Sequence, residues 1–170
     1  GRPVTREEFT PTFGQGTEAD ARVFGLGISA EELNAFYVEH FPRFAASSTW
    51  VNPEAQSVLS ELKRRGHLTG LVTNSVTAIA RALLGPPKLL DLLDALACAD
   101  EVVHSKPAPD LVLLACRKLG VSADRSVVVG DSRFDEGAAT SAGAQFISYG
   151  FTAAAPSRRV DSLADLLRLF

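Results

Sequence analysis

Residues 126–143 read SVVVGDSRFDEGAATSAG. Three consecutive valines stop at Gly130-Asp131, and a second carboxylate, Asp135, follows in the next turn's worth of chain. A short, unbroken apolar run that gives way to small and polar residues is the pattern of a strand buried on both faces and followed by a helix. The helix is predicted to run to Ala142 and to stop at Gly143. In an open parallel sheet, ligands sit in the crevice beyond the carboxyl ends of the strands, which is where this pattern puts both aspartates.

Outward from this unit, the same rhythm recurs. Pro53 suits a first helical turn, and Ala55, Val58, Leu59 and Leu62 then make one apolar face before Arg65-Gly66 closes the helix. Apolar runs at 68–72, 95–99, 126–129 and 145–148 alternate with helical stretches at 76–84, 109–119 (ended by Gly120) and up to 142. This alternation predicts an α/β fold: a doubly wound parallel sheet with the four runs as strands of one sheet and helices on both faces. The closing DSLADLLRLF (161–170) is predicted as an amphipathic helix capped by Asp161 or Ser162, and AAAPSRRV (153–160) as a surface connection.

The first 45 residues differ. Leu33, Phe36, Tyr37 and Phe41 recur at helical spacing behind Ser29, a candidate N-cap, and predict a helix over 31–41. The preceding FTPTFGQGTEADARVFG (9–25) shows no strand alternation. Residues 1–45 are therefore predicted as helices and a loop outside the main sheet.

Composition bounds what such a chain can do. Its 170 residues, 46% hydrophobic and 22% charged, suffice for one domain with a buried core and a small appendage. The formal net charge of −3 is spread without a basic block, so the footprint of a nucleic-acid binder is missing. No apolar stretch approaches the roughly 20 residues of a membrane span and no charged-then-apolar leader opens the chain, so no membrane partner and a cytoplasmic location are expected. Cys98 and Cys116 lie in apolar surroundings without metal-ligand spacing and are read as reduced core residues, with a disulfide as the alternative. The sequence has no Met and begins at Gly1, which is read as a start that was cut off, processed or replaced.

Polar residues gather where the runs end. Thr73-Asn74-Ser75 follows Val72 at the start of a helix and can serve as a cap or as a phosphate seat, since hydroxyls and free N–H groups at a helix N-terminus bind anions. HSKPAPD (104–110) follows the next run, with prolines that stiffen the backbone around Lys106; the lysine is either a solvated charge or one held at a fixed place. Of Asp131 and Asp135, one could cap the helix, but a pair repels itself unless a cation is near, and oxygen-rich surroundings suit Mg²⁺. Donors, an ammonium and two carboxylates form a kit for phosphoryl transfer. A nucleophile is missing from it.

The order TNS, KPAPD, VVVGDSRFD, each at a strand end, resembles the haloacid dehalogenase superfamily, and most closely its phosphoglycolate-phosphatase-like branch with a small helical cap. The resemblance covers essentially the whole chain. It implies a Rossmann-like core over 46–170 lacking its first strand, a partial cap over 1–45, and a Mg²⁺-dependent phosphatase acting on a small phosphorylated metabolite through an aspartyl-phosphate. It further implies that Thr73 and Asn74 bind the phosphoryl group and that Lys106 neutralises nucleophile and phosphate. Asp131 and Asp135 would hold Mg²⁺, Asp131 the more directly, and Gln15, Gly16 and Thr17 would lie near the substrate-facing loop of the cap. The family's nucleophile motif, Asp-x-Asp-x-Thr, has no counterpart here, because no Asp-x-Asp occurs in the sequence. Its strand would leave a place open between the runs ending at Val72 and Val129, which something must fill or close. The resemblance implies either a chain that lost its beginning, inactive as given, or a natural non-catalytic remnant. A dehalogenase proper needs no metal and leaves the two acids unexplained. A phosphoacceptor receiver domain places its Asp before Thr and Lys-Pro, the reverse of the order here.

Overall fold

The computed structural model describes residues 3–12, 14–48, 50–150 and 158–170. Strands β1 (Gly70–Thr73), β2 (Ala95–Cys98), β3 (Val127–Gly130), β4 (Gln145–Tyr149) and β5 (Arg159–Val160) alternate with helices α4 (Ala55–Arg64), α5 (Thr77–Leu84), α6 (Asp110–Leu119) and α7 (Arg133–Ala142). Helices α1 (Arg6–Phe9), α2 (Thr17–Val23) and α3 (Ala30–Ser48) precede them. Every strand pair is parallel. Glycines in the left-handed region, Gly120 and Gly143, end α6 and α7 at the predicted places.

The sheet is not continuous, which corrects the expectation of one sheet. β1 pairs with β2, from Gly70 opposite Ala95 to Thr73 opposite Cys98, while β3, β4 and β5 form a second sheet in that order. Among the described residues no ladder joins β1 to β3, so the strands ending at Val72 and Val129 fall in different sheets. What holds the two sheets together is helix α6. Leu111 and Ala115 pack on Ala97 and Val72 of the first sheet, and Val112 and Cys116 pack with Ala138 of α7 and Val128 of the second. Leu111 and Val112 are almost wholly buried, each a contribution of about 1.5–3 kcal/mol relative to exposure. Strands β2 and β4 are well buried, but β1 and β3 are only half-buried, and Val129 remains 37% exposed. In a continuous sheet these two would be interior strands; here their facing edges are covered less than the outer ones.

Strand alternation covers both faces as expected. Ala97 faces α6, and its neighbour Cys98 meets Thr77 of α5 on the other side. In the second sheet Val128 faces α6 and α7, while Val127, Ile147 and Val160 pack against Leu163, Leu166 and Phe170. Burial pushes the Cys98 thiol above its ordinary pKa; Cys98 and Cys116 are both free and buried.

Three local expectations change. The closing segment is a short 3₁₀ turn, Ala164–Arg168, rather than an α-helix, and its N-cap is Leu163 rather than Asp161 or Ser162; Ser162 Oγ accepts from Asp165 N just ahead of it, and the Glu54 carboxylate accepts from Leu163 N and Ala164 N. The end of AAAPSRRV is β5, with Val160 buried; residues 153–157 of that stretch lie outside those described. Helix α3, expected to end at 41, continues through Pro42 to Ser48. Its start is as predicted: Ser29 Oγ accepts from Glu32 N, and Glu32 Oε2 accepts from Ser29 N, a capping box. α3 packs on α5 and α2, which seats the leading helices beside the first sheet. Among the described residues no helix is long and apolar enough to cross a membrane.

The entry to the first sheet is fastened by a carboxylate. Asp94 Oδ2 accepts from Thr69 N at 2.9 Å, and Asp94 Oδ1 accepts from Lys63 Nζ at 2.9 Å. The Thr69 N–H, with Lys63 second, holds the Asp94 carboxyl below the ordinary carboxylate range. A depressed folded-state pKa contributes stability that is present above the unfolded value and lost as pH falls through the folded one. Asp94→Asn is therefore expected to lower stability at neutral pH and to shrink the loss of stability on acidification. Urea midpoints measured from neutral to strongly acid pH check this; an acid limb of unchanged depth would contradict it.

Candidate active site at the strand ends

The strand ends converge. Lys106, in the loop after β2, points its ammonium into the opening between the sheets. Its Nζ donates to Val72 O at 3.2 Å and to Asp135 Oδ1 at 2.7 Å. Both side chains of that ion pair are 11% exposed. Of the two earlier readings of Lys106, the structure selects the fixed charge. The backbone of Lys106 is held as well, because Asn74 Oδ1 accepts from Lys106 N at 2.8 Å and Asn74 Nδ2 donates to Lys106 O at 3.1 Å.

Asp135 reaches Lys106 because helix α7 begins where it does. Ser132 is the N-cap: its Oγ accepts from Asp135 N at 3.3 Å, while Asp135 Oδ2 accepts from Ser132 N at 3.1 Å and from Ser132 Oγ at 2.6 Å. This capping box leaves Oδ1 for the lysine. It requires glycine at 130, where a Cβ would stand 2.3 Å from the Asp135 Cβ and no side-chain movement could relieve the overlap. The glycine that ends the valine run is there so that the carboxylate can fold back over it. Asp131 does the opposite: it is exposed, and among the described residues its carboxylate takes no hydrogen bond or ion pair.

A cavity of about 270 Å³ opens here, bounded by Lys106, Val129, Asp131 and Asp135 and, from other parts of the chain, Gly14 and Tyr149. A larger cavity, about 380 Å³, lies elsewhere, between the start of β4 and Phe170, and holds none of the strand-end residues named above. Thr73 and Asn74 do not line the strand-end cavity. Thr73 Oγ1 accepts from Ser75 N at 3.1 Å, a capping role that leaves its own hydroxyl hydrogen to give. The N-terminus of α5 is already served by an anion, since Asp100 Oδ1 accepts from Thr77 N at 2.9 Å. Asn74 is buried and uses both amide hydrogens on carbonyls, that of Lys106 and that of Gly14 at 2.8 Å.

Of the three residues expected near the substrate-facing loop, Gly16 lies against Asn74, with the position of its missing Cβ 3.4 Å from the Asn74 Cβ. Gln15 and Thr17 bond within the leading helices: Gln15 Nε2 donates to Asp20 Oδ1 at 3.3 Å, and Thr17 Oγ1 to Asn34 Oδ1 at 2.7 Å. Burial pushes the Asp20 carboxyl up.

Mg²⁺ favours six oxygens at about 2.0–2.1 Å. Among the described residues no group of three or more His, Cys, Asp and Glu side chains could hold a metal ion. Asp131 offers a free carboxylate, but both oxygens of Asp135 are engaged by Lys106 and Ser132. The residues present thus supply a fragment of a Mg²⁺ site and do not fit a complete one.

Several participants had no place in the sequence argument. Ser132 could have been found, because Ser-x-x-Asp at the start of a helix is capping-box spacing. The Gly14 carbonyl, Leu163, and Tyr149, whose hydroxyl accepts from Asn52 Nδ2 at 2.9 Å, reach the site through tertiary packing alone.

Residues 1–149 match the family model of haloacid dehalogenase-like hydrolases. The phosphoglycolate phosphatase of Cupriavidus necator is 32% identical over 126 residues, covering 73% of this chain and 54% of that protein. That of Escherichia coli K12 is 31% identical over 130 residues, covering 73% and 52%. The chain thus spans about half the length of the curated relatives it matches. Among solved structures, CbbY from Rhodobacter sphaeroides in complex with phosphate superposes with a TM-score of 0.82 at 24% identity, covering 95% of this chain and 80% of that one, a likeness of fold. The stretch matched by the family model contains the TNS, KPAPD and VVVGDSRFD strand ends. This chain belongs to the haloacid dehalogenase-like hydrolases.

Proposed function

We propose that this chain carries the phosphate-handling part of a hydrolase for a small phosphomonoester, with phosphoglycolate the first substrate to try. The observation that carries the proposal is the placement of Lys106: a buried ammonium fixed at the strand ends, beside a cavity that opens onto Asp131. A cation immobilised in a low-dielectric recess stabilises phosphate charge without reorganising during reaction. Lys106 binds a phosphate oxygen, and Thr73, set back from the cavity wall, caps the turn that follows β1 rather than touching the anion. Residues 1–45 act as part of a helical cap over the core of 46–170.

The proposed reaction needs a carboxylate that attacks phosphorus, breaks the P–O bond to the alcohol and is regenerated by water, with a second acid supplying the leaving group's proton. Neither comes from this sequence, which has no Asp-x-Asp. In a complete enzyme Mg²⁺ would neutralise phosphate charge, and Asp131 is the ligand this chain would bring to it.

The proposal is tested on the chain as it stands, by following backbone amide signals in a titration with inorganic phosphate. Signals of Lys106 and residues 130–132 are expected to move together. Because Asp131 is an unpaired anion at the rim, Asp131→Asn is expected to tighten phosphate binding a few-fold without metal and to remove any gain that added Mg²⁺ confers. Phosphate that moves none of these signals would sink the proposal. A phosphate response with no hydrolysis even when a nucleophile is supplied would favour a non-catalytic phosphate-binding protein of the same fold.

A further inference from the structure

The side-chain amide of Asn74 directs three hydrogen bonds to backbone. Its oxygen accepts from Lys106 N, one hydrogen goes to Lys106 O, and the other goes to Gly14 O. Toward Lys106 it behaves as a neighbouring strand would, answering both the N–H and the C=O of one residue. Toward Gly14 it reaches a different part of the chain, 60 residues away in sequence. At 8% exposure these bonds have little competition from water, and losing a partner would leave a buried donor or acceptor unsatisfied.

The loop it reaches is shaped to lie on it. Gly16 has φ of +93°, a conformation L side chains rarely adopt, and lies directly against Asn74. Gly14, with φ of +85°, packs on Ser132 and Phe134 at the start of α7 and borders the cavity that Lys106 enters. The segment Gly14–Gly16 is thus a roof that touches both walls of the site, and its polar fastening to the first wall is Asn74.

We propose that Asn74 is a positioning residue that couples the Gly14–Gly16 roof to Lys106, acting on the lysine and the roof rather than on the anion. One buried amide serves both, so the roof does not shift without changing the hydrogen bonds that fix the Lys106 backbone. Coupling of this kind is reciprocal: an anion that engages Lys106 alters the roof, and the roof alters anion binding. Only this anion half rests on the phosphate-handling reading of the pocket.

The test follows amide exchange in the intact chain. Gly16→Ala must displace the roof, given the positive φ and the contact with Asn74. It is expected to speed exchange of the Lys106 amide about fivefold to tenfold, the scale of one net hydrogen bond, with the amides of Val129 and Ile147 unchanged. In an Asn74→Ala background the Lys106 amide is already fast, and adding Gly16→Ala should change it by less than about twofold, because the link has been removed. Should Asn74→Ala fail to fold, Asn74→Asp keeps the acceptor for Lys106 N but has no hydrogen for Gly14 O or Lys106 O; with the link to the roof cut, adding Gly16→Ala to it should likewise change the Lys106 amide by less than about twofold. A Gly16→Ala chain in which the Lys106 amide keeps its parent rate overturns the coupling, as does an equal increment in both backgrounds. Inorganic phosphate separates the two readings. If it moves Lys106 together with Gly14, Gln15 and Gly16 in the parent, and only Lys106 in Asn74→Ala, the coupling holds. If it moves Lys106 and leaves the roof unmoved in the parent, the coupling is overturned and the phosphate seat stands. If it moves neither, the phosphate-handling reading fails, and the Gly16→Ala comparison decides the coupling by itself.

Discussion

Lys106→Met is expected to lower the unfolding free energy by about 3–5 kcal/mol, the range found when one partner of a buried ion pair is removed. The estimate follows from what stays behind. Asp135 sits under the first turn of α7 with its Oδ2 on Ser132 and its Oδ1 on the ammonium at 2.7 Å, and neither member of the pair is more than 11% exposed. Methionine replaces the aliphatic stem but leaves an uncompensated carboxylate. The double variant Lys106→Met, Asp135→Asn is expected to recover at least half of the loss, since an amide keeps both capping contacts with Ser132 and carries no charge. Urea unfolding of the parent, both single variants and the double variant measures the coupling. If Lys106→Met alone stays within about 1 kcal/mol of the parent, the pair is solvated and worth no more than a surface ion pair, and the fixed ammonium on which the site rests is lost.

Much of this architecture could be read from hydrophobic pattern, and the reasons differ element by element. The valines of β3 and the glycines after α6 and α7 are local signals, so their strand and helix ends fall within a residue or two of expectation. The break between β1 and β3 is a matter of pairing, which no run of valines encodes; pattern alone made one sheet of them. The closing segment misled for a related reason. DSLADLLRLF has helical spacing, but Glu54 takes its first free N–H groups, so a tight 3₁₀ turn suffices to bury Leu166 against Ile147. β5, only two residues long, pairs with β4 and buries Val160 in a stretch whose alanines, serine and arginines read as a loop.

The site was legible as a set of positions and less so as a set of roles. Lys106, Asp131 and Asp135 do meet at one cavity, because each follows a strand of a parallel array. What the sequence leaves undetermined is which groups satisfy one another. Asp135 carries the bland role weighed for it, a cap, and through the cap's spare oxygen it also fixes the lysine. Asn74 turns from the cavity toward two backbone carbonyls, one of them brought in by packing of the leading helices. Such choices depend on distances of a few tenths of an ångström between segments remote in sequence, and Gly130, whose missing Cβ lets Asp135 fold over it, is the one place where the sequence shows the constraint directly.

The chain as given is expected to turn over no simple phosphomonoester above background, and the largest effect should come from supplying what it lacks. A positioned nucleophile contributes roughly 7–11 kcal/mol, about five to eight powers of ten in rate. Asp135 cannot serve, because Lys106 and Ser132 hold both of its oxygens. Asp131 is free, but among the described residues nothing orients it for in-line attack. The comparison chain is this sequence preceded by an apolar strand ending in Asp-x-Asp-x-Thr, supplied from the reading frame ahead of Gly1 or, where that frame holds none, from a haloacid dehalogenase-like relative. That form is expected to hydrolyse phosphoglycolate or a related small phosphomonoester with Mg²⁺, and Asn in place of the strand's first Asp should silence it. Lys106→Ala in the joined form should abolish the activity too, and folding measured alongside separates loss of the ammonium's chemistry from loss of structure. The edges of β1 and β3 provide the place for such a strand, since among the described residues each is paired on one side only and both are half-exposed. Robust Mg²⁺-dependent hydrolysis by the unextended chain would show that the nucleophile lies within it, with Asp131→Asn the first variant to make. A joined form that folds, pairs its new strand and stays silent across a broad panel of phosphomonoesters would assign the fold to phosphate binding without catalysis.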